Sequence, residues 1–500
     1  MPSRDSLCTG AAAVVATLLS GQALAQCPAL APLPGGMHFG WGVVDCGDYN
    51  EDGYNDFLVS SLAYESPCLI SGRTGQVMER FDPDDGDYGK GSAVSRAFFD
   101  ADGWHEVAVV GDRYGQVETT GGPMGVVRLH SLYTGDQKVL MSVDQRSAWF
   151  GHAVASTMYS DGPHQILVGS PGYGLVHLDF PEADNRGAVF VYSEGDIYPL
   201  QYLLRHVIIG EQRQEYLGEA VAMLDPLHEG LPGEPFPEGA FAAGAPRADG
   251  VEPDVGRVDV VDMLTGEIAY SLYGEMAFDW FGSSVAAAGD VDGDGYNDLI
   301  VGAPNHSRLA DHAGRAYVFS GANGAPLWVF DGEAASDLFG TAVAAAGDAD
   351  GDGFADLLVG APLHSSRLRN AGRVYLYSGA DGSLLKTLDG PAEDGQFGQA
   401  LASAWQFQAT GRVFVGAPRA ETHLYEGLAY ALSDRPLLEG DIDQDGWVDQ
   451  SDLGVLLTSY ELSPDDPGYE PLADINGDGA VDQSDLGLLL VNYDKQCSAD

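Results

Sequence analysis

The chain has 500 residues, of which 75 are acidic and 24 are basic, and its formal net charge is −51. This balance argues against binding to nucleic acid, whose phosphates require a basic surface. A chain of this length exceeds what one compact core usually holds, so we expect two or more structural units.

The first 25 residues have the pattern of a secretory signal peptide. Arg4 precedes an apolar run from Ala11 to Leu19, and Ala23-Leu24-Ala25 forms a small-residue cleavage site before Gln26. No later segment approaches the length of a membrane span. We therefore expect a protein that is secreted or associated with the cell surface. A lipoprotein anchored through Cys27 is the weaker alternative, because Gln26 stands where a small residue would be needed.

Cleavage of this segment would remove Cys8 and leave four cysteines. They are Cys27, Cys46, Cys68 and Cys497. Four cysteines in an oxidising compartment allow three pairings, and the sequence does not choose among them. None forms a CxxC pair, so neither a zinc site nor a redox role is expected.

One sequence unit occurs twice in nearly identical form. Residues 281–304 read FGSSVAAAGDVDGDGYNDLIVGAP and residues 339–362 read FGTAVAAAGDADGDGFADLLVGAP. Each copy predicts a strand of small residues, an acidic turn and an apolar strand, and hairpin signals between the copies add two more strands. The Phe-Gly position recurs seven times, as Phe39-Gly40, Tyr88-Gly89, Phe150-Gly151, Leu217-Gly218, Phe281-Gly282, Phe339-Gly340 and Phe397-Gly398.

Sheets that are apolar on both faces cannot bury themselves singly, but sheets arranged radially cover one another. The repeat therefore predicts an all-β fold, a seven-bladed β-propeller of four-stranded blades over residues 26–433. The last unit shows only three strands. We expect the N-terminal segment 27–36 to supply the fourth at the outer edge, where its prolines are tolerated.

The acidic turns have the spacing of a calcium loop. Oxygen-bearing side chains stand at positions 1, 3, 5 and 9, a backbone carbonyl is available at position 7, and Ca²⁺ takes roughly six to eight oxygen ligands. The predicted ligands in the first, fifth and sixth units are Asp48, Asn50, Asp52, Tyr54, Asp56; Asp290, Asp292, Asp294, Tyr296, Asp298; and Asp348, Asp350, Asp352, Phe354, Asp356. The alternative is a solvated acidic turn without an ion.

The tail, residues 434–500, contains two loops of another type, each with Gly at position 6, an acid at position 12 and an apolar helix after it. This is the EF-hand pattern. The predicted ligands are Asp441, Asp443, Asp445, Trp447, Asp449, Asp452, and Asp474, Asn476, Asp478, Ala480, Asp482, Asp485. With the propeller loops, the sequence predicts about five calcium sites.

These motifs carry two resemblances. The series FG, GDxDGDGxxDL and VGAP resembles the FG-GAP repeats of integrin α subunits, whose heads are seven-bladed propellers. The duplicated loop and helix of the tail resemble a type I dockerin. That resemblance implies an extracellular, cohesin-like partner that binds the residues at loop positions 10 and 11, which here are Gln450, Ser451, Gln483 and Ser484.

The two pairs are identical, which would permit two docking orientations. The basic residues that commonly follow in dockerins are replaced by Thr458, Ser459 and Tyr460. A calcium-stabilised cap on the chain's own propeller is therefore an alternative for the tail.

The sequence contains no HExxH, GxSxG or GxxxxGK[ST] motif. His306 and His364 recur after the Gly-Ala-Pro strands, where they are expected to rim a binding face or to be inherited by duplication. Six tryptophans mostly lie on predicted strands, where burial is expected: Trp41, Trp104, Trp149, Trp280, Trp328 and Trp405. We favour a non-enzymatic binding protein for a protein or glycan. The alternative is a carbohydrate-active enzyme, a polysaccharide hydrolase or lyase of a cellulosome-like system, because dockerins are usually attached to such enzymes.

Overall fold

The computed structural model of the chain describes the strands and most of the central loops. The described residues are 32–37, 39–46, 49, 56–61, 67–71, 77–81, 93–98, 106–112, 125–131, 137–141, 148–157, 165–174, 184–194, 202–224, 236, 239–350, 352–403, 412–419, 426–433, 450–460, 462, 473 and 481–493.

The described residues contain 28 strands and two helices. The strands are β1 Pro32–Met37, β2 Phe39–Asp45, β3 Phe57–Ser61, β4 Cys68–Ile70, β5 Val77–Arg80, β6 Ala93–Phe98, β7 Glu106–Asp112, β8 Val126–Ser131, β9 Gln137–Met141, β10 Ala153–Ser156, β11 Gln165–Ser170, β12 Ala188–Glu194, β13 Tyr202–Ile209, β14 Ala220–Leu224, β15 Ala240–Ala245, β16 Arg257–Asp262, β17 Ile268–Tyr273, β18 Ser284–Gly289, β19 Asp298–Ala303, β20 Arg315–Phe319, β21 Pro326–Asp331, β22 Ala342–Gly347, β23 Asp356–Ala361, β24 Arg373–Tyr377, β25 Leu384–Asp389, β26 Ala400–Ser403, β27 Arg412–Ala417 and β28 Glu426–Ser433. The helices are α1 Gln450–Ser459 and α2 Gln483–Asn492.

The strands form seven four-stranded antiparallel sheets. We number the sheets as blades in chain order, from blade 1 (β2–β5) to blade 6 (β22–β25). Blade 7 has the order β1-β28-β27-β26, so its outermost strand comes from the N-terminal end of the chain. Pro32 is opposite Tyr430 in that pairing. The prediction of a propeller built from four-stranded blades is confirmed.

The burial of each strand follows its place in the blade. The second strands β15, β19 and β23 are buried at every residue, because the sheet has a neighbour on both faces. The outer strands β17 and β25 are mostly exposed. This explains why the second strands are continuous apolar runs instead of alternating patterns.

Neighbouring blades are joined by a parallel bridge between a glycine and the Phe-Gly position of the next blade. In the described residues these bridges are Gly125–Phe150, Gly187–Leu217, Gly256–Phe281, Gly314–Phe339 and Gly372–Phe397. A Cβ added to Gly314 would lie 2.1 Å from the carbonyl oxygen of Phe339. Only glycine permits this approach of the two backbones. The first strands also contact one another in chain order, and β2 contacts β26.

A second junction links the outer strand of one blade to the turn of the next. The Tyr270 hydroxyl donates a hydrogen bond of 2.8 Å to the Gly321 carbonyl. One blade later, Trp328 Nε1 donates a hydrogen bond of 2.7 Å to the Gly379 carbonyl. These aromatic side chains therefore hold adjacent blades together at their outer edges.

We expect Trp328→Phe to lower the free energy of unfolding by about 1 kcal/mol, because the ring remains while a hydrogen bond is lost. Urea unfolding followed by tryptophan fluorescence and circular dichroism measures the change. Val329 is 47% exposed on the same strand, so Val329→Thr is the matched control and should change stability by less than about 0.5 kcal/mol. Equal stability of Trp328→Phe and wild type would show that this bond does not hold the blades.

The two C-terminal helices share a small core of Leu456, Ala473, Val481 and Leu489. Within the part of the chain that the structure describes, no helix is long and apolar enough to cross a bilayer. Cys46 and Cys68 are both buried in blade 1, whereas Cys27 and Cys497 lie outside the described residues.

Candidate calcium sites and the loop face

The loop between β18 and β19 in blade 5 gathers three of its predicted ligands. Carboxylate oxygens of Asp290, Asp292 and Asp294 all lie within 4.8 Å of one another. The loop folds around Asp290, whose side chain accepts hydrogen bonds from the backbone N–H groups of Gly293 at 2.7 Å and Gly295 at 3.0 Å. Burial and the neighbouring charges of Asp294 and Asp290 raise the pKa of Asp292. The loop is thus arranged to concentrate negative charge.

Asp298, the fourth predicted carboxylate of this loop, has a different position. It is fully buried at the start of β19 and accepts hydrogen bonds from Val291 N at 2.8 Å and Gly321 N at 3.1 Å. Burial raises the pKa of Asp298 to about 7. Asp298 therefore connects the acidic loop to the hairpin turn between the third and fourth strands.

Blade 6 repeats the arrangement with one change. Here the gathered carboxylates are Asp348, Asp350 and Asp356, again within 4.8 Å of one another, while Asp352 is not in the group. Asp356 accepts hydrogen bonds from Ala349 N at 2.7 Å and Gly379 N at 3.0 Å, and burial raises its pKa to about 6. The same frame therefore holds the loops of both blades.

One atom of the blade 6 loop indicates what the loop is built to hold. Asp348 Oδ1 is buried and, among the described residues, has no hydrogen-bond partner. A buried acceptor without a partner is costly, so this oxygen is available to a bound cation or to a water molecule. The donor set consists of oxygens only, which suits a hard cation such as Ca²⁺. The residues present therefore fit the predicted ion.

The loops of blades 5 and 6 also contact each other. Ala355 N donates a hydrogen bond of 3.1 Å to the Asp290 carbonyl. A Cβ added to Gly293 would lie 3.0 Å from Cε1 of Phe354, so this ring covers the neighbouring loop. Tyr296 and Phe354, the residues expected to bind through their carbonyls, each donate their N–H to the aspartate two residues earlier.

The blade 1 loop is described only in part. Asp56 is fully buried and accepts a hydrogen bond of 2.9 Å from Tyr49 N, the same bond that Asp298 and Asp356 make. The other predicted ligands of this loop, Asp48, Asn50, Asp52 and Tyr54, lie outside the described residues.

In the tail, the second loop ends in the cap of α2. Asp482 Oδ1 accepts a hydrogen bond of 2.6 Å from Ser484 N, and Asp485 Oδ2 accepts one of 2.8 Å from Asp482 N. Asp485 is fully buried, whereas Gln483 and Ser484 are exposed, as is Gln450 in α1. The other predicted tail positions lie outside the described residues or have undescribed side chains: Asp441, Asp443, Asp445, Trp447, Asp449, Ser451, Asp452, Asp474, Asn476, Asp478 and Ala480.

Comparison with known proteins identifies both parts of the chain. The FG-GAP repeat model matches residues 281–319 and 339–377, and the model of the dockerin type I domain matches residues 439–493. Integrin alpha-5 of Xenopus laevis is 29% identical over 49% of this chain and 23% of its own length. Integrin alpha-V of Gallus gallus is 33% identical over 43% of this chain and 20% of its own length.

The chain carries an integrin-like FG-GAP β-propeller and a C-terminal type I dockerin domain. It spans less than a quarter of the length of either integrin. Dockerin domains generally bind calcium, and their protein partners are cohesins.

The recurrent histidines of the FG-GAP propeller are buried, which contradicts the rim alternative and leaves inheritance by duplication as the expectation. His306 Nδ1 lies 2.9 Å from Oδ2 of Asp279, and His364 Nδ1 lies 2.8 Å from Oδ2 of Asp337. All four side chains are buried. The aspartates belong to the loop that enters the same blade, so each histidine joins two loops.

Blade 4 has a different buried pair at the equivalent position of its entering loop. Glu215 is fully buried in the entering loop and lies 3.3 Å from the guanidinium of Arg257. Burial raises the pKa of Glu215, although the charge of Arg257 opposes that shift. A buried acid with a nitrogen partner is thus a shared structural feature of these loops.

We expect His306→Ala to lower the free energy of unfolding by about 2 to 3 kcal/mol, because a buried carboxylate oxygen loses its side-chain partner. His306→Asn should recover part of the loss, since its amide can still donate. The control is His312→Ala, because the side chain of His312 is 49% exposed. Urea unfolding of the three variants checks the order, and equal stability of His306→Ala and His312→Ala would contradict it.

An aromatic group that was not predicted lies on the loop face, which is formed by the loops between the second and third strands and by the loops that enter each blade, opposite the calcium loops. Trp149 and Trp280 were expected to be buried in strands, yet they precede β10 and β18 and are only partly buried. Tyr216 has the equivalent place before β14. The available signal was their position directly before the Phe-Gly or Leu-Gly pair.

Proposed function

We propose that the chain is a secreted, calcium-binding attachment protein. Its propeller, residues 26–433, binds a protein or glycan through the loop face. Its dockerin domain, residues 434–500, attaches the propeller to a cohesin-like partner in an extracellular assembly. The segment 1–25 is proposed to be removed on export, so the mature chain would begin at Gln26.

About five calcium ions are proposed, in the loops of blades 1, 5 and 6 and in the two dockerin loops. The unpartnered, buried Asp348 Oδ1 supports the blade 6 site. A bound Ca²⁺ would supply the positive charge that the gathered carboxylates lack. Asp298 and Asp356 would keep each loop at the start of its second strand through their backbone hydrogen bonds.

We also infer that the blades close into a ring of seven. The pairing of β1 with β28 and the contact of β2 with β26 support this closure. A closed ring has no unpaired blade face, and it would present its loops as one continuous surface.

The single observation that carries the attachment role is the difference in exposure between neighbouring side chains at the start of α2. Gln483 and Ser484 are exposed side by side, while the adjacent Asp485 is fully buried and takes part in the helix cap. The first turn of α2 is therefore rigidly held and presents two polar side chains outward. Gln450 in α1 is exposed at the same place of the other repeat.

The test is binding of the full-length protein to a panel of purified type I cohesin domains, measured by calorimetry in millimolar calcium. The variant Gln450→Ala/Ser451→Ala and the variant Gln483→Ala/Ser484→Ala should each retain most of the affinity, because the other repeat can dock. The combination of all four substitutions should lower the affinity at least about a hundredfold, because neither repeat keeps its polar pair.

His312→Ala is the control, since the side chain of His312 is 49% exposed and belongs to the propeller and not to the dockerin domain. It should bind as the wild type does. Absence of binding to every cohesin, or unchanged binding by the fourfold variant, would overturn the proposed attachment role.

A further inference from the structure

We propose that an aromatic cleft on the loop face, between blades 3, 4 and 5, binds a neutral pyranose residue of a glycan. The inference rests on the proposed function, because it assigns one ligand class and one site to the loop face. The cleft is lined by the rings of Trp149, Tyr216 and Trp280, and by the polar side chains of Glu219, Arg247 and Ser283.

The three aromatic residues occupy one structural position in successive blades. Each directly precedes the Phe-Gly or Leu-Gly pair and has a left-handed backbone, with φ of 55° at Trp149, 58° at Tyr216 and 56° at Trp280. Leu338 and Gln396 hold the same position in blades 6 and 7 with φ of 55° and 57°. The backbone therefore presents this side chain in the same way in five blades, and three adjacent blades use it for an aromatic ring.

The cavity of about 160 Å³ between these residues is small. Sites for drug-sized ligands usually hold about 300 Å³ or more. A cavity of half that size accommodates one sugar ring and leaves the rest of an oligosaccharide outside. The ligand is therefore expected to be a polymer residue or a chain end.

Arg247 determines the charge of the cleft. Its guanidinium carbon lies 5.0 Å from the ring centroid of Tyr216 and 5.2 Å from that of Trp280. Arg247 directly follows Pro246 at the end of the second strand of blade 4. Gly172 has the equivalent position in blade 3, because Gly172 N donates to the Ala148 carbonyl as Arg247 N donates to the Glu215 carbonyl. The space between Tyr216 and Trp280 therefore contains the guanidinium of Arg247. Gly172 contributes no side chain to the space between Trp149 and Tyr216.

Trp149 and Tyr216 lie nearly parallel on the side of the cleft in which the described residues place no cation. Their ring centroids are 6.2 Å apart and their planes differ by 17°. They are too close for a pyranose to enter between them, so the sugar is expected to stack on an open ring face of the cleft. Exposed aromatic faces carry partial negative charge and attract the C–H groups of a pyranose face. Arg247 offers donors to sugar hydroxyls. Ser283 Oγ, which already donates a hydrogen bond of 2.7 Å to the Trp280 carbonyl, and Glu219, whose Oε1 lies 3.3 Å from His152 Nε2, offer acceptors.

The charge distribution selects a neutral sugar. The net charge of −51 repels polyuronates at long range, and Glu219 adds a carboxylate in the cleft. Arg247 already stacks on two of the three rings, so a second cation such as a lysine or arginine side chain would meet like charge. A neutral ligand meets neither penalty.

The test uses the full-length protein in calcium, with cellohexaose, xylohexaose, mannohexaose and laminarihexaose as separate probes in calorimetry. Saturation-transfer NMR on the same samples identifies the sugar protons that touch the protein. We expect at least one of these neutral hexasaccharides to bind. Trp149→Ala and Tyr216→Ala should each lower its affinity at least tenfold, while Leu338→Ala, the equivalent position in blade 6, should leave it unchanged.

Unchanged circular dichroism and calcium content establish that the variants are folded. A hexasaccharide that binds equally well to wild type, Trp149→Ala and Tyr216→Ala would overturn the site and leave the proposed glycan-binding role intact. Binding of a lysine- or arginine-rich peptide that competes at these rings, without binding of any hexasaccharide, would overturn the ligand class. Loss of the cohesin interaction alone would count against the dockerin proposal only.

Discussion

Replacing calcium by EGTA is expected to lower the unfolding temperature of the full-length chain by about 10 °C. Each ion bound at a hundred times its Kd stabilises the folded state by about 2.7 kcal/mol, so three propeller ions contribute about 8 kcal/mol. For a propeller of this size, 1 kcal/mol corresponds to roughly 1 °C, because the unfolding entropy grows with the number of residues. Differential scanning calorimetry in calcium and in EGTA measures the shift.

Two controls separate bound ions from general screening. The chain carries a charge of −51, so added salt could stabilise it without any specific site. Sodium chloride at the ionic strength of the calcium buffer should leave most of the 10 °C difference in place. If sodium chloride and calcium raised the unfolding temperature by the same amount, the result would contradict specific calcium sites.

The effect of Asp292→Asn on stability is expected to have opposite signs in calcium and in EGTA. Asp292 is largely exposed and lies within 4.8 Å of Asp290 and Asp294, and its pKa is raised by partial desolvation of its carboxylate and by those two charges. Asp292→Asn should stabilise the protein slightly in EGTA, because repulsion falls, and destabilise it in calcium, because a ligand is lost. Asp311→Asn, an exposed charge outside the loops, should show no reversal.

The second large effect is expected for Gly314→Ala, which should cost more than about 4 kcal/mol or prevent folding. Gly314 has φ of +87°, and an added Cβ would lie 2.1 Å from Phe339 O and 2.5 Å from Phe339 N. Both atoms belong to the backbone of the bridge to the next blade. The clash therefore cannot be relieved by turning a side chain.

Gly295→Ala isolates the backbone strain from the clash. Gly295 has φ of +88°, but nothing lies within 4 Å of its added Cβ. Strain alone costs roughly 1 to 2 kcal/mol. In EGTA, Gly295→Ala should therefore fold and have an unfolding temperature only a few degrees below that of the wild type. Equal unfolding temperatures of the two alanine variants would show that close backbone approach between blades is not needed.

The repeat pattern was sufficient to predict the strands and their radial arrangement. Both copies of Phe-Gly and of Gly-Ala-Pro mark the ends of strands, and the continuous apolar run of β19 corresponds to a strand that is buried on both faces. These features are local in sequence or repeat at a fixed interval. They could therefore be derived without knowledge of distant contacts.

The contacts between loops could not be derived in that way. His306 contacts Asp279, which is 27 residues away in the entering loop, and no pattern in the sequence indicates that the two meet. The aromatic cleft likewise combines residues from three blades. The left-handed backbone that presents Trp149 and Trp280 is a property of the folded loop, and propensity alone predicted buried strands there.

The acidic loops were predictable as a composition but not in their exact grouping. The spacing of blades 5 and 6 is identical, yet positions 1, 3 and 5 converge in blade 5 and positions 1, 3 and 9 converge in blade 6. The position 9 side chains accept equivalent backbone hydrogen bonds in both blades, Asp298 from Val291 and Gly321 and Asp356 from Ala349 and Gly379. These bonds therefore do not explain the different grouping, and the sequence does not reveal it.

The most direct test of the proposal that calcium stabilises the propeller is to measure the number of calcium ions bound per chain. Gel-filtered full-length protein would be analysed by mass spectrometry of its metal content, together with Asp294→Ala and Asp348→Ala. We expect about five calcium ions in the wild type and one fewer in each variant. A folded wild-type protein without calcium, or variants with an unchanged calcium content, would contradict the account.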